Sequence, residues 1–223
     1  MSWKAKPSAT TDPVSLDVLA DRDRAPGTPY VTDAMKASWT KDILPKYATS
    51  HGALMPILHD LQHAYRCIPY QAMIETANFL GIPPSEVLDT TSFYEEFHTE
   101  PVGRCVIGVC QSIACEVCGH QAIVDRIRNR LDLDPHETDD EGRYTLLLLE
   151  CLGSCDTAPV ALFNEELAEH LKVEEVDAIL DEIDRVPIAD LDRPAVRGIV
   201  RRHAITQGGR ESGTGDGRSD LHD

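Results

Sequence analysis

The sequence predicts an α/β protein in which a helical N-terminal bundle precedes a small layered domain of strands and helices. Three observations carry this prediction. Apolar residues recur at helical spacing through residues 34–100. From Pro101 onward the pattern switches to short strand-like runs separated by amphipathic helices. Two cysteine clusters, Cys110-Gln-Ser-Ile-Ala-Cys115 and Cys151-Leu-Gly-Ser-Cys155, each stand at the end of one of those strand-like runs. A chain of 223 residues holds one large or two small domains and can bury a core without a metal to fold it.

The elements follow in order. Residues 1–33 are rich in Pro, Thr, Asp and Gly with little apolar periodicity, and read as an extended or disordered arm. In the bundle, residues 34–100, Trp39, Ile43 and Leu44 mark a first helix, and Leu54, Ile57, Leu58, Leu61 and Ala64 form one apolar stripe of a second. A third runs over 70–80, with Met73, Ile74, Ala77 and Leu80 inward and Gly81 as its stop. Pro83-Pro84-Ser85-Glu86 opens a fourth, because proline suits the first helical turn.

In the second domain, residues 101–186, a strand over 102–109 precedes a helix from Cys115 to about Leu131, with Ile123, Ile127 and Leu131 on one face. The run Tyr144-Thr-Leu-Leu-Leu-Leu-Glu150 has the character of a buried central strand. Residues 160–163 and 167–171 form a hairpin around Asn164-Glu-Glu, and 173–183 is an amphipathic helix through Val176, Ile179, Leu180 and Ile183. Residues 187–223 read as a flexible tail, and the basic stretch from Arg197 to His203 inside it reads as a solvated charge run.

Net charge of −17 argues against nucleic acid or an anionic membrane as partner, since both demand a cationic face. It remains compatible with docking on a basic surface of a larger protein. No window approaches the roughly 18–20 apolar residues of a membrane span, so direct insertion is not expected. The N-terminus lacks the apolar core of a signal peptide, and its aspartates suit a mitochondrial presequence poorly. A soluble, cytoplasmic protein is expected, meeting a membrane only through a larger complex.

Four thiolates on two adjacent strand ends are soft ligands suited to an iron–sulfur cluster, zinc or copper(I), and a [2Fe–2S] cluster is commonly held by four of them. The bland readings are structural zinc, for which Cys-x4-Cys followed by Cys-x3-Cys is loose, and disulfides or thiol redox chemistry. An odd cysteine count, seven, without a secretory signal points to a reducing compartment where disulfides are rare. Gly153 lets the second cysteine loop turn so that both sulfurs face one centre. Cys115 is expected at the N-terminal end of its helix, where the dipole favours an anionic centre. Ala158-Pro159, just beyond the second pair, is a candidate cis bond.

Rival sets use the same residues. Cys110, Cys115, Cys118 and Cys151 fit the plant-type ferredoxin spacing, but a helix beginning at Cys115 would carry Cys118 away from a ligand loop. Cys115-Glu-Val-Cys118 resembles a thioredoxin redox dithiol without its Gly-Pro. Cys118-Gly-His120 lacks the second half of a Rieske set. Cys67 and Cys105 are packing residues, and the nine histidines read as surface or satisfied polar groups. No glycine-rich loop opens a helix after a strand, so the sequence gives no sign of a nucleotide or flavin site, and any nicotinamide chemistry would need another chain to bind the cofactor.

Beyond the cysteines, Leu80-Gly-Ile-Pro-Pro-Ser-Glu-Val87, Thr91-Ser-Phe-Tyr94, Pro101-Val-Gly103, Glu150-Cys-Leu-Gly-Ser-Cys155 and Ala158-Pro159 stand in a characteristic order over roughly residues 50–185. With them the chain resembles the [2Fe–2S] subunit (the E subunit) of NADH–quinone oxidoreductase, respiratory complex I, and its relatives in NAD-linked hydrogenases and formate dehydrogenases. The resemblance implies a helical bundle followed by a thioredoxin-like [2Fe–2S] ferredoxin domain, with Cys110, Cys115, Cys151 and Cys155 as cluster ligands. It also implies one-electron transfer beside an NADH/FMN-binding flavoprotein subunit, with other peripheral-arm subunits as neighbours. A free-standing ferredoxin of this fold is the alternative, and a zinc-bearing docking subunit a further one. The sequence departs from the family at Cys118, where members often carry arginine, and both tails exceed the family core.

Overall fold

The computed structural model describes residues 27–207, and the chain divides at Val102/Gly103 into two compact units. Most of the arm expected over residues 1–33, and residues 208–223 of the expected tail, lie outside the described residues.

The first unit is helical. Thr32 caps α1 (Asp33–Asp42) by accepting the Met35 amide at 3.2 Å, and α1 buries Trp39. The described end of the arm is packed rather than free: Tyr30 and Val31 join the core, and the Val31 amide donates to Glu75 Oε2 at 2.7 Å. α2 (Leu54–Tyr65) buries the stripe Leu54, Ile57, Leu58 and Leu61. α3 (Tyr70–Leu80) turns Ala72, Met73, Thr76, Ala77 and Leu80 inward and stops at left-handed Gly81. α4 (Pro84–Phe93) starts with proline in its first turn. Trp39 Nε1 donates to Asp60 Oδ2 at 2.9 Å, tying α1 to α2. Arg66 ends α2 in the left-handed region and its guanidinium donates to the Val102 carbonyl. His98 lies along the same return, and burial, helped by Arg66, holds its imidazole below the usual value, so the folded unit keeps it neutral.

The second unit is a five-stranded sheet in the order β2-β3-β1-β4-β5. β1 (Cys105–Cys110) and β3 (Tyr144–Leu149) pair in parallel, Cys105 opposite Tyr144 and Cys110 opposite Leu149. β2 (Glu137–Thr138) pairs antiparallel with β3, and β4 (Ala161–Phe163) and β5 (Glu166–Ala168) close the other side antiparallel. Strand alternation sends Cys105, Ile107, Val109, Tyr144, Leu146, Ala161 and Phe163 into one core. Helices α6 (His120–Leu131) and α7 (Val173–Asp184) cover it with Ile123, Val124, Ile127, Val176, Ile179, Leu180 and Ile183. The Ala158–Pro159 peptide bond is cis.

Three expectations change here. The single helix expected from Cys115 is two: α5 (Ile113–Val117) and α6, separated at Cys118–Gly119, where Gly119 takes φ +89°. Cys115 is therefore the middle residue of a short helix rather than its first. The short strand β2 is an addition to the expected elements, because two exposed polar residues carry no apolar signal. Residues 187–207 are not a flexible tail, since a 3₁₀ turn at Ile188–Asp190 leads into α8 (Arg193–Gln207). Leu191, Val196, Ile199 and Val200 are buried in the sheet core. Its basic residues are paired within the chain: Arg193 with Glu165, Arg197 and Arg201 with Glu166, and Arg202 and His203 with Glu182. Arg202, with a smaller contribution from His203, holds the Glu182 carboxyl below the usual carboxylate range.

Gly103 admits no side chain. Its amide donates to Thr145 Oγ1 at 2.6 Å, and a Cβ placed there would stand 2.4 Å from the Tyr144 carbonyl carbon. Backbone cannot yield as a flexible side-chain tip can. Gly103→Ala is expected to cost the second unit about 2–3 kcal/mol, read as a lower urea midpoint at unchanged slope. An unchanged midpoint would show that the start of β1 relaxes freely.

Candidate metal centre

Parallel pairing of β1 and β3 places both C-terminal ends at one end of the sheet, and each end carries a cysteine loop. Cys110 is the last residue of β1, and Cys151 follows two residues after the end of β3. The Gln111 amide donates to the Leu149 carbonyl at 2.9 Å, continuing the ladder into the loops. Glu150 joins them further, accepting from Gln111 Nε2 at 3.1 Å and from Ser112 Oγ at 3.5 Å.

Cys110 points away from the main core and is buried with Cys115 and Val160, with Leu152, Ala158 and Leu167 packed around them. Cys151 and Cys155 are exposed. Their sulfurs are 3.4 Å apart, too far for a disulfide. The Gly153 amide donates to Cys151 Sγ at 3.4 Å from a loop that glycine turns with φ +80°. The Ser154 and Thr157 hydroxyls hydrogen-bond at 2.7 Å and brace that loop.

Neighbouring sulfurs shift the thiols of Cys115, Cys151 and Cys155. Burial pushes the Cys115 thiol up to about 11, against a hydrogen bond from the Val160 backbone, with Cys110 and Cys155 adding to the rise. The Cys155 thiol is raised first by its contact with Cys151 and, less, by burial and Cys110. The Gly153 amide, and then Cys155, hold the Cys151 thiol below its ordinary value. A bare group of sulfurs resists carrying four charges at once, and bound cationic metal removes that resistance.

The spacing of the Cys151–Cys155 pair fits two sulfurs on one metal. With a metal–thiolate bond of about 2.3 Å in a tetrahedron, as for zinc, two sulfurs on one metal stand about 3.8 Å apart; Cys151 and Cys155 are close to this at 3.4 Å. A binuclear cluster divides its four sulfurs into two pairs.

Residues 40–184 match the family described as thioredoxin-like [2Fe–2S] ferredoxin. The chain belongs to this family. Its cofactor is accordingly a [2Fe–2S] cluster. Among curated relatives, the second E subunit of NADH-quinone oxidoreductase of Rhizobium meliloti (strain 1021) is 32% identical over 136 residues, covering 61% of this chain and 81% of that protein. The E subunit of NADH-quinone oxidoreductase of Escherichia coli (strain K12) is 34% identical over 135 residues, covering 60% and 81%. Among solved structures, an NAD+-reducing [NiFe]-hydrogenase in the H2-reduced state superposes with a TM-score of 0.55 at 26% identity, over 64% of this chain and 24% of that one. The chain therefore spans about a quarter of the hydrogenase chain it matches.

Cys118 stands apart from the four: it caps the C-terminal end of α5 and is exposed, whereas Cys115 is 2% exposed. Cys67 and Cys105 are buried, each within its own unit. One contributor to the site, Val160, carries no individual signal in the sequence. Val160 accepts the Cys110 amide through its carbonyl at 3.2 Å while its backbone also serves the Cys115 sulfur. The available pointer to it is Ala158-Pro159, which delivers it to the site. His120 is buried with its Nδ1 lacking a partner, contrary to the expectation that every histidine is surface or satisfied. His51, His59 and His203 pair with Glu86, Glu96 and Glu182.

Proposed function

We propose that this chain is the iron–sulfur subunit of an NADH-oxidising assembly of the NADH–quinone oxidoreductase type, working beside an NADH/FMN-binding flavoprotein subunit. The observation that carries the reading is the juxtaposition of two cysteine pairs at one end of the parallel β1–β3 pair, in a chain similar to the oxidoreductase E subunits over most of their length.

Cys110, Cys115, Cys151 and Cys155 would hold the cluster, which when bound takes up and releases one electron at a time. The chain's own residues set the conditions. The Gly153 and Val160 backbones hydrogen-bond to the sulfurs of Cys151 and Cys115 and stabilise their thiolates. Val160, Leu152, Ala158 and Leu167 keep water from the Cys110–Cys115 side, while Cys151 and Cys155 remain open to an approaching partner. Sulfur hydrogen bonds and solvent exposure are the levers that set such a centre's potential.

The chain has no nucleotide site of its own in this reading, and electrons reach it from the flavoprotein. Such a subunit needs no membrane segment, and no helix among the described residues is long and apolar enough to cross a membrane. A role in an assembly of the NAD-linked hydrogenase kind is the second reading, favoured by the hydrogenase superposition. The isolated chain is expected neither to bind nor to oxidise NADH in fluorescence titration and turnover assays. Co-expression with the flavoprotein should restore NADH-driven dye reduction. Measurable NADH affinity of this chain alone would overturn the division of labour, and hydrogen-driven rather than quinone-linked turnover would select the second assembly.

A further inference from the structure

Backbone pairing between β1 and β3 stops where the cysteine loops begin. Its last rung is the Gln111 amide on the Leu149 carbonyl at 2.9 Å. Beyond that rung, side chains take over. Leu152 of the second loop packs against the group of Cys110, Cys115 and Val160. Glu150 reaches the first loop with both carboxylate oxygens: Oε1 accepts from Gln111 Nε2 at 3.1 Å, and Oε2 accepts from Ser112 Oγ at 3.5 Å. The bridge joins sequence neighbours of two sulfurs, because Gln111 follows Cys110 and Glu150 precedes Cys151. A carboxylate with one donor on each oxygen is a two-pronged clamp between the loops.

The clamp also carries charge. Residues 105–125 and 144–171, which include both loops and the strands they leave, contain no lysine or arginine. A carboxylate one residue from a cluster ligand opposes the arrival of an electron by Coulomb repulsion, and charge near a cluster is one of the levers on its potential. Glu150 is exposed. An untethered side chain there would swing into water and its field would be screened; the bonds to Gln111 and Ser112 hold it beside the centre.

We propose that Glu150 is a positioning residue of the metal centre: its carboxylate clamps the Cys110 loop to the Cys151 loop, and its charge, held in that place, lowers the reduction potential of the cluster. The inference rests on the ligand assignment given above and adds a residue outside the ligand set. Partners of this kind, one bond removed from the ligands, fix ligand geometry and tune the metal.

The test uses the full cluster-loaded chain at neutral pH. The potential is read by mediated redox titration of the reduced-state paramagnetic signal, and cluster lifetime by loss of iron to a ferrous chelator. Glu150→Gln keeps both bonds, its amide oxygen accepting from Gln111 and its amide nitrogen donating to Ser112, but loses the charge. Its cluster lifetime should match the wild type, while the ratio of reduced to oxidised cluster at a fixed poise rises about three- to tenfold, tenfold being about 59 mV for one electron. Glu150→Ala and, independently, Gln111→Ala/Ser112→Ala release the clamp and should lose iron several-fold faster. A wild-type potential in Glu150→Gln would overturn the role, since a merely structural glutamate would leave the potential alone. A wild-type lifetime in Gln111→Ala/Ser112→Ala would overturn the clamp, and this double variant decides the point even if Glu150→Ala takes up no iron. A wild-type chain that binds no two-iron cluster would instead overturn the ligand assignment, and this inference with it.

Discussion

Cys155→Ser is expected to lose the [2Fe–2S] cluster or shift its reduced-state spectrum strongly, and Cys118→Ser to keep both iron and spectrum. The expectation follows from where each sulfur stands. Cys155 Sγ is 3.4 Å from Cys151 Sγ, and the Cys115 thiol senses Cys155 and Cys110. Cys118 sits beyond the end of α5, exposed, one turn past the buried Cys115. A plant-type ligand set would require Cys118 and spare Cys155; the thioredoxin-like set requires the reverse. The two variants should be reconstituted side by side, with iron, acid-labile sulfide and the reduced-state signal measured against a wild-type chain carrying about two irons and two sulfides. Iron retained at wild-type level in Cys155→Ser and lost in Cys118→Ser would overturn the ligand assignment. Stoichiometric zinc in protein purified anaerobically, without sulfide, would overturn the cluster.

What the sequence reveals and what it hides have physical causes. β1 and β3 are legible because each is an apolar run with a cysteine at its end or two residues beyond it, and α2, α3 and α7 because their buried stripes follow helical spacing. The cysteine loops are legible as chemistry, but spacing alone leaves two ligand sets open, one with Cys118 and one with Cys155. Only parallel pairing, with Cys110 opposite Leu149, brings residues some forty positions apart to one sheet end. The break between α5 and α6 is hidden because the apolar period of α6 begins at Ile123, leaving the turn before it with no pattern to contradict a longer helix. The exposed Ile113 and Val117 belong to that same stretch, where water-facing apolar residues mimic a core face.

The C-terminal helix is masked in the sequence because arginines and a glycine-rich ending outweigh a sparse apolar pattern. Yet Asp192 accepts the Ala195 amide at 2.8 Å as an N-cap, Pro194 lies in the first turn, and Val196, Ile199 and Val200 share one face. α8 lies beyond residue 184, where the match to the family ends, and it packs on the edge of the sheet formed by β4 and β5. An uncovered edge strand invites pairing with other chains. A fully buried aliphatic side chain contributes about 1.5–3 kcal/mol. Leu191, Val196, Ile199 and Val200 are each at most 3% exposed. Their joint contribution is on the order of 6 kcal/mol even at the low end of that range, comparable with the whole stability of an ordinary domain. A chain ending at Val186 is therefore expected to lose cooperative unfolding of its second unit and to aggregate. Val196→Asp, which buries an unpaired carboxylate in the same place, should lower stability by more than about 3 kcal/mol and the unfolding midpoint by at least about 10 °C. Arg197→Gln and Arg201→Gln remove only exposed ion pairs with Glu166 and should cost less than about 1 kcal/mol each. Calorimetry on the full chain and its variants separates the two outcomes. A wild-type midpoint in Val196→Asp would return residues 187–207 to the status of a dispensable tail.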